Sequence, residues 1–345
     1  MNRLIKVLVV DDSAYVRKVL RQILLRNPFI EVVGSAHDGK EALELTAELN
    51  PDVIVLDLIM PVMDGISFLK EQMARRPVPV VILSIESELG EMSLAALDAG
   101  AIDFLQKPTA LATDRILEIG DELIDTVKAA AAATPIYRGP APEMTELPAS
   151  RSILPGKVDV VLIGISTGGP QALRFLIPQF PADLPVPIAV VLHMPVGYTE
   201  MYARKLDEVS RVEVVEAGEG ELVKPGRMLL APAGRHMTFI RSATGEVAVH
   251  LDARPFDTLH RPSVDELFRS AAEVYGSKAL AVVMTGMGSD GKAGSAWIKA
   301  KGGTVYTEAE ETCVVYGMPR SVFEAGLSDR VVPLDLMARA IVETI

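Results

Sequence analysis

VDVVLIGISTGGP, residues 158–170, is the stretch on which the reading of this chain turns. From Val158 to Gly164 only Asp159 is polar, the composition of a strand buried on both faces of a parallel sheet. Gly164, Gly168 and Gly169 then bracket Ser166 and Thr167, and Pro170 suits the first turn of a helix. A sharp strand-to-helix turn is therefore predicted, with the Ser166 hydroxyl lifted off the carboxyl end of a sheet. There the N–H groups of a helix start lie open to developing negative charge. Gly164-Ile165-Ser166-Thr167-Gly168 matches G-x-S-x-G, the pattern of a nucleophile elbow. A phosphate-cradling glycine turn, or a plain tight connection, reads the same residues equally well.

Upstream, apolar runs at 5–10, 31–35, 53–56, 80–84 and 101–105 alternate with segments of helical period. That order predicts a doubly wound parallel sheet of the α/β class, with function at the carboxyl ends of its strands. Asp11 and Asp12 follow the first run, Asp57 the third, and Ser84 and Lys107 the fourth and fifth. Carboxylates gathered at one edge repel unless a hard cation joins them, and such oxygen ligands suit Mg²⁺. A lysine and a hydroxyl opposite them would hold phosphoryl oxygens.

At 345 residues the chain exceeds one ordinary core, which implies two domains. A 49% hydrophobic and 23% charged composition is that of a globular protein in water. The net charge of −12 argues against nucleic acid or an anionic membrane as the main partner. Cys313 stands alone, so no internal disulfide forms and a reducing compartment fits. MNRLIKVLVVDDS carries too short an apolar run for a signal peptide, and no run reaches the about 18 residues of a membrane span. A cytoplasmic protein is expected. Residues 116–133 are helical in pattern and end in an alanine run, after which Pro135, Pro140, Pro142, Pro148 and Pro155 arrive with Gly139 and Gly156. Such a stretch favours a semi-rigid spacer. The expected organisation is a first domain over 1–128, a linker over 129–156 and a second domain over 157–345.

In the second half, an apolar run at 187–192 ends at His193, and another at 279–284 ends in TGMGSDG, which carries Asp290. Strand, loop and polar residue thus recur at Ser166, His193 and Asp290. A serine hydroxyl needs a base beside it, and an imidazole needs a carboxylate on its other nitrogen. Their chain order differs from the Ser…Asp…His order of α/β-hydrolases, which argues against that fold. His236 and His260 compete with His193, both lying in Pro- or Gly-flanked sequence, whereas His37 belongs to the first domain. A cysteine hydrolase built on Cys313 is a rival, although CVVYG reads as a strand entering the core. A DNA-binding output is another, but the acidic second half offers no basic face.

DDS at 11–13, LDLIMPVMDG at 56–65, ILS at 82–84 and DFLQKP at 103–108 resemble the receiver domain of two-component response regulators. That resemblance implies Asp57 as the phosphoacceptor from a histidine kinase of the CheA type, with Asp11 and Asp12 helping to hold Mg²⁺. It implies Ser84 and Lys107 as phosphate sensors and Phe104 as the switch aromatic. GISTGGP, LHMP, APAGRHM, RPSVDELF, MTGMGSDG and CVVYGMP together resemble the catalytic domain of the chemotaxis protein-glutamate methylesterase (CheB) family. The implied roles are Ser166 as nucleophile, His193 as general base and Asp290 as its orienting acid. The Met287 N–H would donate to the oxyanion, and Thr167 would help to position the histidine. Methyl-accepting chemoreceptors are the implied substrates, with deamidation of glutamine as a second activity and no catalytic cofactor. Phosphorylation of Asp57 would relieve inhibition by the receiver, which would otherwise cover the Ser166 edge. Leu192, Tyr198 and Glu308-Ala309 depart from the family's usual glutamine, phenylalanine and Gln-Asp, and none of them is in the triad. The expected fold is thus two doubly wound parallel-sheet domains, the second larger and carrying some antiparallel strands.

Overall fold

The computed structural model describes residues 3–84, 90–107, 119–133 and 157–345. The chain divides into two compact units, Met1–Tyr137 and Arg138–Ile345. In the first, β1 (Ile5–Val10), β2 (Ile30–Ala36), β3 (Val53–Asp57), β4 (Val80–Ser84) and β5 (Asp103–Gln106) form a 5-stranded sheet ordered β2-β1-β3-β4-β5. Every pairing is parallel. The described helices around it are α1 (Ala14–Leu24), α2 (Gly39–Leu49), α3 (Gly65–Arg75), α4 (Gly90–Asp98) and α5 (Gly120–Ala132). Ser13, Asp38 and Asp64 open the first three, each accepting an N–H of the first turn through its side chain.

Two boundaries differ from the sequence expectation. The fifth strand begins at Asp103 rather than 101, because the Ala101 N–H closes the end of α4 on the Ala96 carbonyl at 3.0 Å. The alanine run assigned to the linker instead continues α5 to Ala132, since Ala129 and Ala130 are buried. The remainder of the expected linker, 134–156, lies outside the described residues.

The second unit contains β6 (Val160–Ile165), β7 (Ile188–Leu192), β8 (Glu213–Glu216), β9 (Arg227–Leu230), β10 (His236–Arg241), β11 (Val247–Asp252), β12 (Ala279–Val283), β13 (Thr304–Glu308) and β14 (Arg330–Val332). Its helices are α6 (Gly169–Leu176), α7 (Thr199–Asp207), α8 (Val264–Tyr275), α9 (Lys292–Ala300), α10 (Met318–Glu324) and α11 (Leu334–Val342). Seven strands form one parallel sheet in the order β14-β13-β12-β6-β7-β9-β8, while β10 and β11 pair antiparallel as a separate hairpin. Every residue of β6, β7 and β12 is buried, as expected of central strands with helices on both faces. This is the expected architecture.

The strand order decides where a site can form. From β6 the chain passes to β7 on one side and later returns to β12 on the other. Helices on the two flanks then diverge, and a crevice opens at the carboxyl ends of these strands. Gly164 in β6 narrows the approach further: a Cβ there would stand 2.3 Å from Val264 Cγ1, so only glycine lets α8 begin against the strand.

One expected strand is absent. Residues 313–317 form an irregular segment with a single bridge, Gly286 to Tyr316, rather than a strand through the core. Its backbone is taken up elsewhere. The Val315 N–H donates to Thr285 Oγ1 at 3.0 Å, and the Val315 carbonyl accepts the Gly286 N–H at 3.0 Å. The sheet edge it would have joined, beside β13, is occupied by β14.

Candidate functional site

The loops leaving β6, β7 and β12 carry Ser166, His193 and Asp290. Ser166 stands one residue past β6, its N–H bound to the Thr285 carbonyl at 3.0 Å and its own carbonyl accepting the Gly169 N–H at 2.6 Å. Gly168, at φ +79°, makes the turn into α6 in the left-handed region. A Cβ on Gly286 would come within 2.7 Å of Ser166 Cβ, so the loop after β12 lies directly against the serine. His193 follows β7, and its N–H donates at 3.1 Å to the carbonyl of Ile165, the residue preceding Ser166.

The His193 imidazole is fixed from two directions. Its Nε2 meets Asp290 Oδ2 at 2.9 Å, with both side chains about nine-tenths buried (9% and 10% exposed). Its ring stacks on His260, centroids 4.0 Å apart and planes 21° from parallel. Nδ1 is buried without a hydrogen-bond partner among the described residues. With Nε2–H donated to the carboxylate, Nδ1 carries the lone pair and is the nitrogen able to take a proton. His260 does not compete for it. Burial, reinforced by the neighbouring His193, lowers the His260 pKa to about 4, so it stays neutral.

Asp290 is the most heavily bonded group of the crevice. Oδ1 accepts from Ser263 Oγ at 2.9 Å, the Asp265 N–H at 2.9 Å and its own neighbour Gly291 N–H at 3.0 Å. Oδ2 accepts the Val264 N–H at 2.8 Å beside His193. Burial alone would raise its pKa, but the bonds from His193, Asp265 and Val264 outweigh that and carry it down to about 2. A carboxylate facing the first turn of a helix is the favourable arrangement.

His236, left open by the sequence, is placed by both ring nitrogens. The Ser263 N–H donates to Nδ1 at 3.2 Å, and Nε2–H donates to the Pro255 carbonyl at 3.1 Å. Only a neutral ring serves both bonds, and burial lowers its pKa accordingly. His236 thus ties the 255–263 segment down beside the start of α8. Thr167 is buried and accepts Thr285 Oγ1 on its carbonyl at 3.0 Å. The Gly286 carbonyl accepts from Gly317 and Met318, which fixes the Gly286–Met287 peptide and turns the Met287 N–H to its opposite side. Glu308 is fully buried, with Oε2 accepting the Thr285 N–H at 2.9 Å and Oε1 accepting Thr312 Oγ1 at 3.0 Å. It supports the shelf on which Ser166 rests.

Within the first unit the corresponding crevice lies at β1 and β3. Lys107 Nζ bridges Asp11 Oδ2 at 2.6 Å and Asp57 Oδ2 at 2.9 Å, and the Leu58 N–H donates to Asp57 Oδ1 at 2.8 Å. Oxygens of Asp11, Asp12 and Asp57 lie within 4.8 Å of one another. Three hard oxygen donors converging at that spacing fit a divalent cation such as Mg²⁺. Burial raises the Asp57 pKa, with the Lys107 charge and hydrogen bond pulling against it. Gly65 makes room for this acid, since a Cβ there would stand 2.4 Å from the Asp57 carbonyl oxygen. Phe104 is buried in β5. Ser84 ends β4, and its side chain lies outside the described residues.

The sequence missed Ser263 and Asp265 as parts of the crevice. Ser263 stands at the N-cap of α8 but gives that helix no side-chain bond, because its hydroxyl reaches across to Asp290. Among the described residues, no helix is long and apolar enough to cross a membrane.

Comparison with known proteins bears on both units. The CheB methylesterase family model matches residues 161–341, and the response regulator receiver domain model matches residues 7–119. A protein-glutamate methylesterase/protein-glutamine glutaminase of Myxococcus xanthus is 49% identical over 337 residues, covering 96% of this chain and 96% of that protein. One from Symbiobacterium thermophilum is 44% identical over 361 residues, covering 100% of this chain and 98% of its own. Among solved structures, the CheB methylesterase catalytic domain of Thermotoga maritima superposes with a TM-score of 0.53 at 44% identity, covering 55% of this chain and 99% of that domain.

Proposed function

Because this chain belongs to the CheB methylesterase family, with a response-regulator receiver in its first unit, we propose that it is a phosphorylation-controlled serine esterase. Its substrates are glutamate γ-methyl esters on chemoreceptors, and it deamidates specific receptor glutamines through the same intermediate. The observation that carries this reading is the convergence of Ser166, His193 and Asp290 at the switch point of the sheet, with His193 Nε2 on Asp290 at 2.9 Å.

Ser166 Oγ attacks the ester carbonyl while His193 Nδ1 takes its proton. Asp290 holds Nε2–H and steadies the imidazolium that forms. The Met287 N–H donates to the tetrahedral oxyanion, a contribution of about 3 kcal/mol to the barrier. Collapse breaks the C–O bond, the imidazolium protonates the departing methoxide, and methanol leaves an acyl-serine. Water, deprotonated by the same imidazole, attacks that acyl group and releases the glutamate carboxylate. With a glutamine substrate, ammonia leaves in place of methanol. His260, stacked on the imidazole, limits its rotation, and Thr167 helps to position it.

In the receiver, Asp57 accepts a phosphoryl group from a histidine kinase of the CheA type. Asp11, Asp12 and Asp57 would hold Mg²⁺, which when bound offsets the negative charge of the incoming phosphoryl oxygens. Lys107 and Ser84 contact those oxygens, and Phe104 responds to their presence. Phosphorylation relieves inhibition by the receiver, and the proline-rich stretch from 134 to 156 tethers the two units. In this reading the enzyme works in the cytoplasm.

The test is methanol release from methylated receptor membranes by wild type, Ser166→Ala and Asp57→Asn, with and without acetyl phosphate. Wild type should be stimulated by the phosphodonor, Ser166→Ala should lose about 10⁶-fold, and Asp57→Asn should be active without stimulation. Retained release by Ser166→Ala would overturn the nucleophile. Stimulation of Asp57→Asn would overturn the phosphoacceptor.

A further inference from the structure

Two helices begin beside Asp290, and each is closed by an acid from the other. Ser263, Val264 and Asp265, at the start of α8, all donate to Asp290, which itself stands just ahead of α9. In return, Asp265 Oδ1 accepts the Gly291 N–H at 2.9 Å and the Gly294 N–H at 2.6 Å, at the start of α9. The helices are close enough for this exchange because of Gly294: a Cβ there would lie 2.6 Å from Phe268 Cβ and 2.9 Å from Asp265 Cα. Gly291, at φ +95°, completes the turn with its Cα facing Val264.

Gly291 directly follows Asp290, so the bond from its N–H to Asp265 fixes the peptide on which the Asp290 side chain is mounted. We infer that Asp265 is a positioning residue for the proposed hydrolysis, holding the Asp290–Gly291 peptide and through it the His193 imidazole. The inference rests on the triad reading of Ser166, His193 and Asp290. Asp265 touches neither the imidazole nor Ser166 among the contacts described, and it acts only through Asp290. Burial, against the pull of the Gly294 N–H and with the help of the Asp290 charge, pushes the Asp265 pKa up to about 6.

The test uses the full chain and three substitutions. Asp265→Ala removes both acceptor bonds. Asp265→Asn keeps them through Oδ1 and removes the buried charge. Asp265→Ser, too short to bridge both N–H groups, decides the matter if the alanine variant does not fold. Methanol release gives kcat and KM, and ¹⁵N-histidine NMR follows the His193 Nε2–H resonance, assigned with a His193→Gln protein. Asp265→Ala and Asp265→Ser should lower kcat by about 10- to 100-fold with KM within about twofold, since misplacement alone has that effect on rate. Asp265→Asn should recover to within about threefold of wild type and keep the His193 resonance that the other two weaken. A wild-type kcat in the alanine or serine variant would overturn the inference. So would a lost kcat with the His193 resonance unmoved. If wild type itself releases no methanol while the resonance still responds to Asp265, the positioning role stands and the substrate reading fails.

Discussion

Asp57 closes β3 and Asp290 lies on the loop after β12, each at the carboxyl edge of a parallel sheet, and burial pushes both toward the protonated form. Their outcomes are opposite. Asp57 stays raised, because it receives one backbone N–H and one ammonium that it shares with Asp11. Asp290 falls to about 2, because the start of α8 supplies it with N–H groups and a hydroxyl, and the loop after β7 supplies an imidazole. Burial acts on both aspartates in the same direction, so what separates them is the number of fixed donors set against it. The contrast matches the two chemistries. An acid whose charge is held at a cost gains from a cation or a transferable phosphoryl group. An acid whose charge is held firmly can hold an imidazolium.

The strongest way to break this comparison is Asp290→Asn. The amide leaves the volume but presents the wrong donor to His193 Nε2, and kcat for methanol release should fall about 10⁴-fold. Stability changes as well, and its sign follows from the lowered pKa. The folded-state pKa of Asp290 lies below its ordinary value of 3.8, so its contribution is present above about pH 4 and is lost as pH falls toward 2. Thermal melts of the second unit between pH 2 and 5 should therefore lose part of their pH dependence in Asp290→Asn. A variant within tenfold of wild-type kcat would mean that the donor cluster does not serve the imidazole.

Asp57→Asn should have the opposite sign. The folded pKa of Asp57 is raised, so its ionised form is the disfavoured one, and stability is lost as pH rises through that folded pKa. An asparagine at this position should raise the melting temperature of the first unit at neutral pH, by calorimetry of the full chain. Phosphodonor stimulation should disappear together with that gain. A lower melting temperature would show that Lys107 has more than offset burial, and the contrast between the two aspartates would collapse.

Ser166, His193 and Asp57 were legible because each stands at the end of an apolar run, and Asp290 because the glycine-rich loop after another such run carries it; parallel strands present such residues at one edge. The order of the strands was not legible to the same degree. Nothing in the spacing says that β12 returns beside β6, which is what brings Asp290 to His193. Still less visible was the exchange between Asp265 and Asp290, which depends on Gly164 and Gly294 admitting α8 and α9 at contact distance. Ser263 stands at the start of α8, yet its hydroxyl goes to the acid ahead of α9. His236 and His260 could not be separated from His193 by pattern. One is bonded at both nitrogens and the other is stacked, and those are facts of three-dimensional packing.

Cys313 extends the comparison to an acid with no compensating donor among the described residues. It is buried, its Sγ faces the Glu308 carbonyl at 4.0 Å, and burial followed by the nearby Glu308 charge pushes its thiol pKa far up. By the logic of the two aspartates, such a group stays neutral, and a neutral thiol is no nucleophile. Cys313→Ala should therefore leave methanol release within about twofold of wild type and cost only the small cavity left by one sulfur, about 1 kcal/mol. Loss of activity in that variant with an unchanged melting temperature would mean that a thiolate forms where no donor supports it. The rule drawn from Asp57 and Asp290 would then fail at its simplest case.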